Sequence, residues 1–370
     1  MGDRVLVTGG AGFIGRRVTD ALLARGHRVR VLDALIPQVH GDAPRADMPD
    51  GVEFIRGDVR DAAAVAAALK GVDKVVHLAA EVGVGQSMYA CERYVSVNDL
   101  GTAALFQQLI EEPVQRVVVA SSMSIYGEGL YRSAQGHLVE DAIREFKVGG
   151  AAEWEICGED GRPLQPLPTP ESKRPCDRSV YALTKLVQER LTLTMCRAYG
   201  MEGVALRLFN VFGSGQALSN PYTGVLAIFA ARLLNGERPM IFEDGQQRRD
   251  FVHVADVAEA FALALERPGV ADGVFNIGSG VDRTVASLAT DLAAAMGRRE
   301  LTPEITGKAR FGDIRHCFAD ISRARDVLGF NPSRPFRAGL EELVGWVASQ
   351  RPDDRVRTAR AELEARGLVA

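Results

Sequence analysis

Tyr181 and Lys185 stand four residues apart in the stretch VYALTKLVQERL. If that stretch is a helix, both side chains lie on one face. A phenol has an ordinary pKa of about 10, and bringing it to about 7 takes ~4 kcal/mol of differential stabilisation. A neighbouring ammonium supplies part of this, and a positively charged ring in the same site supplies more. The pair therefore suits a general base, Tyr181, with Lys185 as its electrostatic partner and as a donor to a ribose. A second candidate stretch, VVVASSMSIYG at 117–127, runs four apolar residues into Ser121, Ser122 and Ser124. It reads as a buried strand whose polar end does chemistry.

A Tyr-Lys spacing recurs on many helices, so its weight depends on the elements that carry it. Gly9, Gly12 and Gly15 in VLVTGGAGFIG follow a β-rich run and open a helical pattern. Glycines there permit a tight turn and let a pyrophosphate approach the helix N-terminus. Asp33 ends the next strand, where a carboxylate accepts hydrogen bonds from adenosine ribose hydroxyls and repels a 2′-phosphate, favouring NAD over NADP. Asp58 ends the third β-rich run, placed either to meet the adenine amine or to cap the following helix. Leu78, Ala79 and Ala80 end the fourth strand with the small side chains that close cofactor approach requires; His77 before them reads as a packed core histidine. Across the first half, β-rich runs alternate with helical patterns, the signature of an α/β, doubly wound parallel sheet of the Rossmann type. A smaller mixed α+β substrate lobe follows.

The 370 residues exceed one compact core, so the expected division is a cofactor-binding domain at 1–208, a second lobe at 209–350 and a charged, solvated helical tail at 351–370. Residues 128–178 interrupt the alternation with Gly, Pro and charge, and Asp160-Gly161 signals a small hairpin. Trp154, Ile156 and Leu164 would pack it onto the body. This segment joins the serine strand to the Tyr181 helix, so it is expected to shape or cover the site. A net charge of −4 gives no basis for nucleic-acid or membrane partners, and no apolar run approaches a membrane span. The N-terminal MGDRVLVTGG reads as opening directly into a strand, so no signal peptide is expected. Its five cysteines (Cys91, Cys157, Cys176, Cys196 and Cys317) are scattered and lack metal-ligand spacing, so no metal and a reducing, cytoplasmic location are expected.

Taken in order, the glycine loop, Asp33, the serine-ended strand and the Tyr-Lys helix resemble those of extended short-chain dehydrogenase/reductases, specifically the NAD-dependent nucleotide-sugar epimerase/dehydratase family. The resemblance runs from Arg4 to about Val347. It implies that the catalytic hydroxyl lies four residues before the tyrosine of a YG pair, which is Ser122 ahead of Tyr126-Gly127. It further implies Phe13, Ile14, Val59, Asn98, Ser121 and Phe209 on the cofactor. On the nucleotide-diphospho-sugar it implies Ser87, Ser124, Asn210, Phe242, Arg249, Arg310 and Cys317. Arg249 and Arg310 would clamp the diphosphate, Arg248 being the weaker match, and Phe242 would border the base. Cys317 stands where some hexose epimerases carry a bulky tyrosine, so it either widens the pocket or is a packed structural cysteine.

Dehydratases of this family carry Asp and Glu just after the catalytic hydroxyl, and decarboxylases keep the Glu. Here Met123 and Ser124 fill those slots and cannot act as carboxyl acid and base. The resemblance thus implies an isomerase, a 4-epimerase that oxidises and re-reduces one carbinol. Stretches such as PQVHG, VGVGQSMYACERYVSVNDLGT and GDIRHCFADIS resemble a bacterial group acting on dTDP-L-rhamnose. The alternatives are a UDP-hexose or UDP-uronate 4-epimerase, a 4-ketoreductase, and a non-catalytic NAD-binding regulator. A homodimer built on helices near 92–112 and 181–199 is also implied.

Overall fold

The structure, a computed structural model, describes residues 2–41, 48–144, 154–176, 178–216, 224–310, 312–350 and 356–369. Sequence readings that touch 145–153, Asp177, 217–223, 351–355 or Ala370 lie there outside the described residues. The N-terminal strands are β1 (Arg4–Thr8), β2 (Arg28–Asp33), β3 (Glu53–Arg56), β4 (Lys74–His77) and β5 (Arg116–Ser122). The segment after the serines holds β6 (Leu130–Arg132), β7 (Leu138–Val139) and β8 (Gln165–Leu167). Then come β9 (Glu202–Leu208), β10 (Asn210–Phe212), β11 (Met240–Ile241) and β12 (Arg248–His253). The last strands are β13 (Gly273–Ile277), β14 (Asp282–Thr284), β15 (Glu304–Ile305) and β16 (His316–Cys317).

Helices of the first half are α1 (Phe13–Ala24), α2 (Pro37–His40), α3 (Ala62–Leu69), α4 (Val84–Ser87), α5 (Cys91–Tyr94) and α6 (Gly101–Glu111). The second half adds α7 (Val180–Ala198), α8 (Val225–Leu234), α9 (Val254–Glu266), α10 (Val285–Ala295), α11 (Phe336–Ala348) and α12 (Val356–Ala365). A π-helical stretch, Val95–Leu100, leads into α6.

Seven parallel strands form the main sheet in the order β13-β9-β5-β4-β1-β2-β3. Their side chains alternate between two cores, as a pleated strand requires. Val5 and Val7 of β1 pack with Val18 and Leu22 of α1 and with Val257 and Phe261 of α9. Leu6, between them, packs with Val65 of α3, Leu105 and Phe106 of α6 and Cys196 of α7. Burial on both faces is why these strands read as nearly continuous apolar runs. The second lobe has its own core, in which Phe212 and Phe251 meet Leu226 and Phe229 of α8, Leu288 and Leu292 of α10 and Leu343 of α11.

Three expectations need correction. First, the boundary at 208/209 does not divide the chain cleanly: β13 pairs with β9 at the edge of the main sheet, and α9 packs against α1. Parallel pairing is long-range, so a strand this late in the chain still completes the first sheet. Second, the tail is docked rather than solvated. Leu363 is buried, Tyr89 donates to Glu362 at 2.8 Å, and Lys308 pairs with Glu364 at 3.0 Å. Third, 128–178 holds more than the single hairpin expected: its described residues also build a three-stranded sheet, β7-β6-β8. The expected hairpin follows from the Cys157–Pro163 bridge and Gly161 at φ 74°, and Ile156 and Leu164 cluster with the segment's own Tyr131 and Ala142.

α7 is fixed to the sheet by a buried ion pair. Arg207 of β9 donates through Nη2 to Glu189 at 2.7 Å, and Ser121 of β5 donates to the same carboxylate at 2.7 Å. Removing one member leaves an uncompensated buried charge. Arg207→Met is therefore expected to destabilise by about 3–5 kcal/mol in urea unfolding, and Glu189→Leu/Arg207→Met to recover most of that loss. Equal losses in the two variants would contradict the role given to the pair.

Candidate active site

β1 ends at Thr8, and the chain turns through Gly9 into α1, whose N-cap is Gly12. Gly9 sits at φ 68°, and a Cβ there would lie 2.8 Å from the Ala79 nitrogen. A Cβ on Gly15 would lie 2.3 Å from the Gly9 oxygen. These two glycines thus permit the close approach of α1 and β4 to the turn. Gly12 gives α1 no side-chain cap, so its first amides point where a phosphate would accept them. Asp33 Oδ2 accepts from Ala11 N at 3.0 Å and Oδ1 from Leu35 N at 2.9 Å, which aims the carboxylate along the glycine turn. His40 of α2 lies 3.6 Å from it.

Gly9, Gly12, Phe13, Ile14, Gly15, Asp33, Asp58, Val59, Leu78, Ala79, Ala80, Ser121 and Phe209 all line one cavity of about 740 Å³. Ser122, Ser124, Tyr181, Lys185 and Asn210 line the same cavity. The capping alternative for Asp58 does not hold, because α3 is capped by Asp61, which accepts from Ala63 N and Ala64 N. Asp58 instead pairs with Arg60 at 2.6 Å, an interaction that keeps its carboxyl below the usual range.

Ser122 ends β5, and its hydroxyl caps the turn at Met123–Tyr126, accepting from Ser124 N at 3.2 Å. Ser179 caps α7 by accepting from Ala182 N at 3.1 Å, so Tyr181 falls in the first turn and Lys185 one turn later. Burial pushes the Tyr181 phenol up, against a hydrogen bond with Ser122 that favours the phenolate. Burial lowers Lys185 to about 7, with Asp99 and Glu189 acting the other way. Its Nζ donates to Gln188 at 2.6 Å. Gln188 in turn donates to Thr102 at 2.9 Å, beside His77, whose imidazole burial lowers to about 3. His77 is thus a neutral core residue bonded to Thr8 at 2.7 Å, as its sequence context indicated.

Several expected site residues lie off the cavity wall. Asn98 is fully buried; its amide donates to Thr184 at 2.9 Å and its oxygen accepts from Glu81 N at 2.7 Å, joining the π-helical stretch to α7. Ser87 is likewise buried and accepts from Tyr181 N at 3.0 Å, so it positions the base. Cys317 is packed with Met123, Tyr126 and Phe209, and burial pushes its thiol to about 12. That is the packed cysteine of the two readings.

Phe242, Arg249 and Arg310 gather at a separate corner around half-buried Asp313. Arg310 donates to Asp313 at 2.9 Å and lies 4.6 Å over the Phe242 ring; Arg249 is 3.6 Å from the same carboxylate. Burial works to raise Asp313, but the guanidinium groups of Arg310, Arg249 and Arg144 outweigh it. Arg248 turns away to pair with Asp282 at 2.8 Å.

The described residues of the 128–178 segment support this corner. None of its described residues lines the cavity. Its charges are spent on the second lobe: buried Glu128 accepts from Arg315 N at 2.8 Å, Arg144 donates to the Asp313 carbonyl at 2.8 Å, and Glu155 pairs with Arg315 and His316. Sequence reasoning missed Gln188, Asp99, Arg207 and this Arg315 network. Only the packing of distant segments reveals them.

The profile of the NAD dependent epimerase/dehydratase family matches residues 5–148 and 151–278. A dTDP-L-rhamnose 4-epimerase of Burkholderia thailandensis is 36% identical over 355 residues, 94% of this chain and 96% of that protein. The structure of Thermus thermophilus UDP-glucose 4-epimerase in complex with NAD has a TM-score of 0.74 at 31% identity, covering 94% of this chain and 100% of that one. That of a Methanobrevibacter ruminantium UDP-N-acetylglucosamine 4-epimerase in complex with UDP-N-acetylmuramic acid has a TM-score of 0.75 at 30% identity, covering 95% and 99%. The chain belongs to the NAD-dependent epimerase/dehydratase family. It is an enzyme of the epimerase type that uses NAD.

The lowered Lys185 gives a pH test. Folded, it binds its proton less tightly than the unfolded chain does, so between about pH 7 and 10 unfolding takes up protons and stability rises with pH. Lys185→Met removes that contribution. In NAD-free protein the variant is expected to be most favoured over wild type near pH 7, with the advantage shrinking toward pH 10. A pH-independent difference in urea unfolding would show that Lys185 is not so perturbed.

Proposed function

We propose that the enzyme interconverts the C4 epimers of a nucleotide-diphospho-6-deoxy-sugar, dTDP-L-rhamnose and dTDP-6-deoxy-L-talose. The observation that carries this reading is Ser122, Tyr181 and Lys185 on one cavity wall with Met123 and Ser124 beside them. Among the described residues, the carboxylates lining that cavity are Asp33, Asp58 and Glu81. Asp33 is taken by the glycine turn, Asp58 by Arg60, and Glu81 by Arg93 at 3.2 Å. The site is thus equipped for proton and hydride transfer and poorly equipped for eliminating water.

Tyr181 accepts the proton of the sugar O4 while Ser122 donates a hydrogen bond to that oxygen. NAD supplies the hydride acceptor and, on return, the donor. Tyr181 gives the proton back once the 4-keto sugar has turned its other face. Among the described residues the Asn210 Oδ1, on the cavity wall, is buried without a partner and can accept from a donor of the bound sugar. Arg249 and Arg310 hold the diphosphate by exchanging Asp313 for phosphate oxygens, a geometry that suits guanidinium groups. The 36% identity to the Burkholderia dTDP-L-rhamnose 4-epimerase supports this sugar. UDP-hexose and UDP-uronate epimerisation and 4-keto reduction are the competing readings. The assembled Ser-Tyr-Lys set argues against a non-catalytic regulator.

Incubation with a panel of dTDP- and UDP-sugars, with products read by NMR, tests the assignment. The expected result is turnover of dTDP-L-rhamnose without net NADH, lowered about 10²–10⁴-fold in Tyr181→Phe. Preference for a UDP-hexose would replace the sugar, and full activity in Tyr181→Phe would replace the base.

A homodimer is part of the same proposal. Leu100 (59% exposed) and Val95 (40%) on the π-helical stretch, with Leu183 and Tyr199 (each 45%) at the two ends of α7, leave apolar surface where a second copy would pack. Sedimentation should give a dimer at micromolar concentration and a monomer for Leu183→Glu. Monomeric wild type would contradict it. The five free cysteines support a reducing, cytoplasmic setting.

A further inference from the structure

Strands β4 and β2 pair with β1 on its opposite sides. A contact between the segments that leave β2 and β4 must therefore pass over the end of β1, where the glycine turn lies. Such a contact exists. Gln38 of α2 donates through Nε2 to Gln86 Oε1 of α4 at 3.0 Å, and Gln86 donates back at 3.4 Å. Arg93 of α5 donates through Nη2 to Gln86 Oε1 at 2.7 Å and to Gln38 Oε1 at 3.1 Å. Tyr94 adds a bond to Gln86 at 3.3 Å.

Both ends of this bridge are rooted in the cofactor wall. On one side α2 folds back so that His40 lies 3.6 Å from Asp33, the carboxylate aimed at the ribose. On the other, Arg93 is held by buried Glu81, whose own backbone N–H donates to Asn98 at 2.7 Å. Gln38 and Arg93 line the same cavity as Gly9, Gly12 and Asp33. Gln86 is buried, so its amide is not free to drift between partners.

We infer that Gln38, Gln86 and Arg93 form a clasp across the mouth of the dinucleotide groove, which must open for NAD to enter or leave. The inference rests on the NAD dependence of the family and on no particular sugar. Its chemical use is direct: an enzyme that returns the hydride it removed gains from a cofactor that cannot escape between the two transfers. A clasp of neutral amides and one guanidinium is reversible, since water replaces most of what each hydrogen bond contributes when it opens.

A gate differs from an ordinary binding contact in its kinetics. Opening it speeds both entry and exit, whereas losing a contact to bound NAD speeds exit alone. The experiment measures NAD release from the loaded protein into a scavenging dehydrogenase, and NAD association with stripped protein by stopped-flow fluorescence. Gln38→Ala and, independently, Gln86→Met are expected to raise both rates about tenfold, leaving the dissociation constant little changed. Unchanged release in both variants overturns the clasp. Faster release with unchanged association also overturns it, and makes the residues simple ligands. Neither readout uses a sugar, so a wrong substrate assignment leaves this result intact.

Discussion

The Glu189–Arg207 pair is the interaction on which the catalytic geometry depends. Its atoms come from α7 and β9, Ser121 joins it from β5, and Arg207 Nη1 also donates to the Tyr126 hydroxyl at 2.7 Å and the Glu171 carbonyl at 3.1 Å. Two charges out of water gain only if nearly all their hydrogen-bonding capacity is used. Here it is used by the elements that carry Ser122 and Tyr181. A shift of α7 along the sheet would break several charge-assisted bonds at once, so the helix has one register.

That rigidity has a counterpart in an unfavourable placement. Lys185 is buried, beside a phenol that burial also disfavours as an anion. The protein tolerates this through neutral partners: Gln188, Thr102 and His77 form a chain of dipoles behind the ammonium. Asp99 and Glu189 hold its charge in place more weakly. Such a site is set to respond to a cationic ring, because in a low-dielectric pocket one added charge acts strongly on the groups facing it.

The nucleotide end is organised differently. Arg249 and Arg310 converge on Asp313, while Arg315 behind them is surrounded by Glu155, Glu243 and Asp244. At the back Glu243 is shared between Arg315 and Arg144, while at the front Arg249 and Arg310 both face the Asp313 carboxylate. Phosphate oxygens can replace one carboxylate without leaving a buried charge exposed. The long segment between the serine strand and α7 serves this arrangement by supplying Glu128, Arg144 and Glu155, which accounts for its charge and for its small core.

The local chemistry was legible in the residues themselves. A glycine turn, an acid at a strand end, a serine-ended apolar strand and Tyr-Lys at one helical turn each have a short-range cause, in backbone sterics, strand pleat or helix pitch. The parallel sheet followed from alternation, and the hairpin from Asp160-Gly161. What adjacency in the chain could not carry was partnership across it. That β13 returns to the first sheet, that Ser87 and Asn98 bond to α7, and that the tail docks at Tyr89 and Lys308 all depend on contacts between residues far apart in sequence. A buried donor or acceptor takes whichever partner the packing brings within reach. For Gln188, Arg207 and Arg315, that choice was made only when distant strands and helices closed around them.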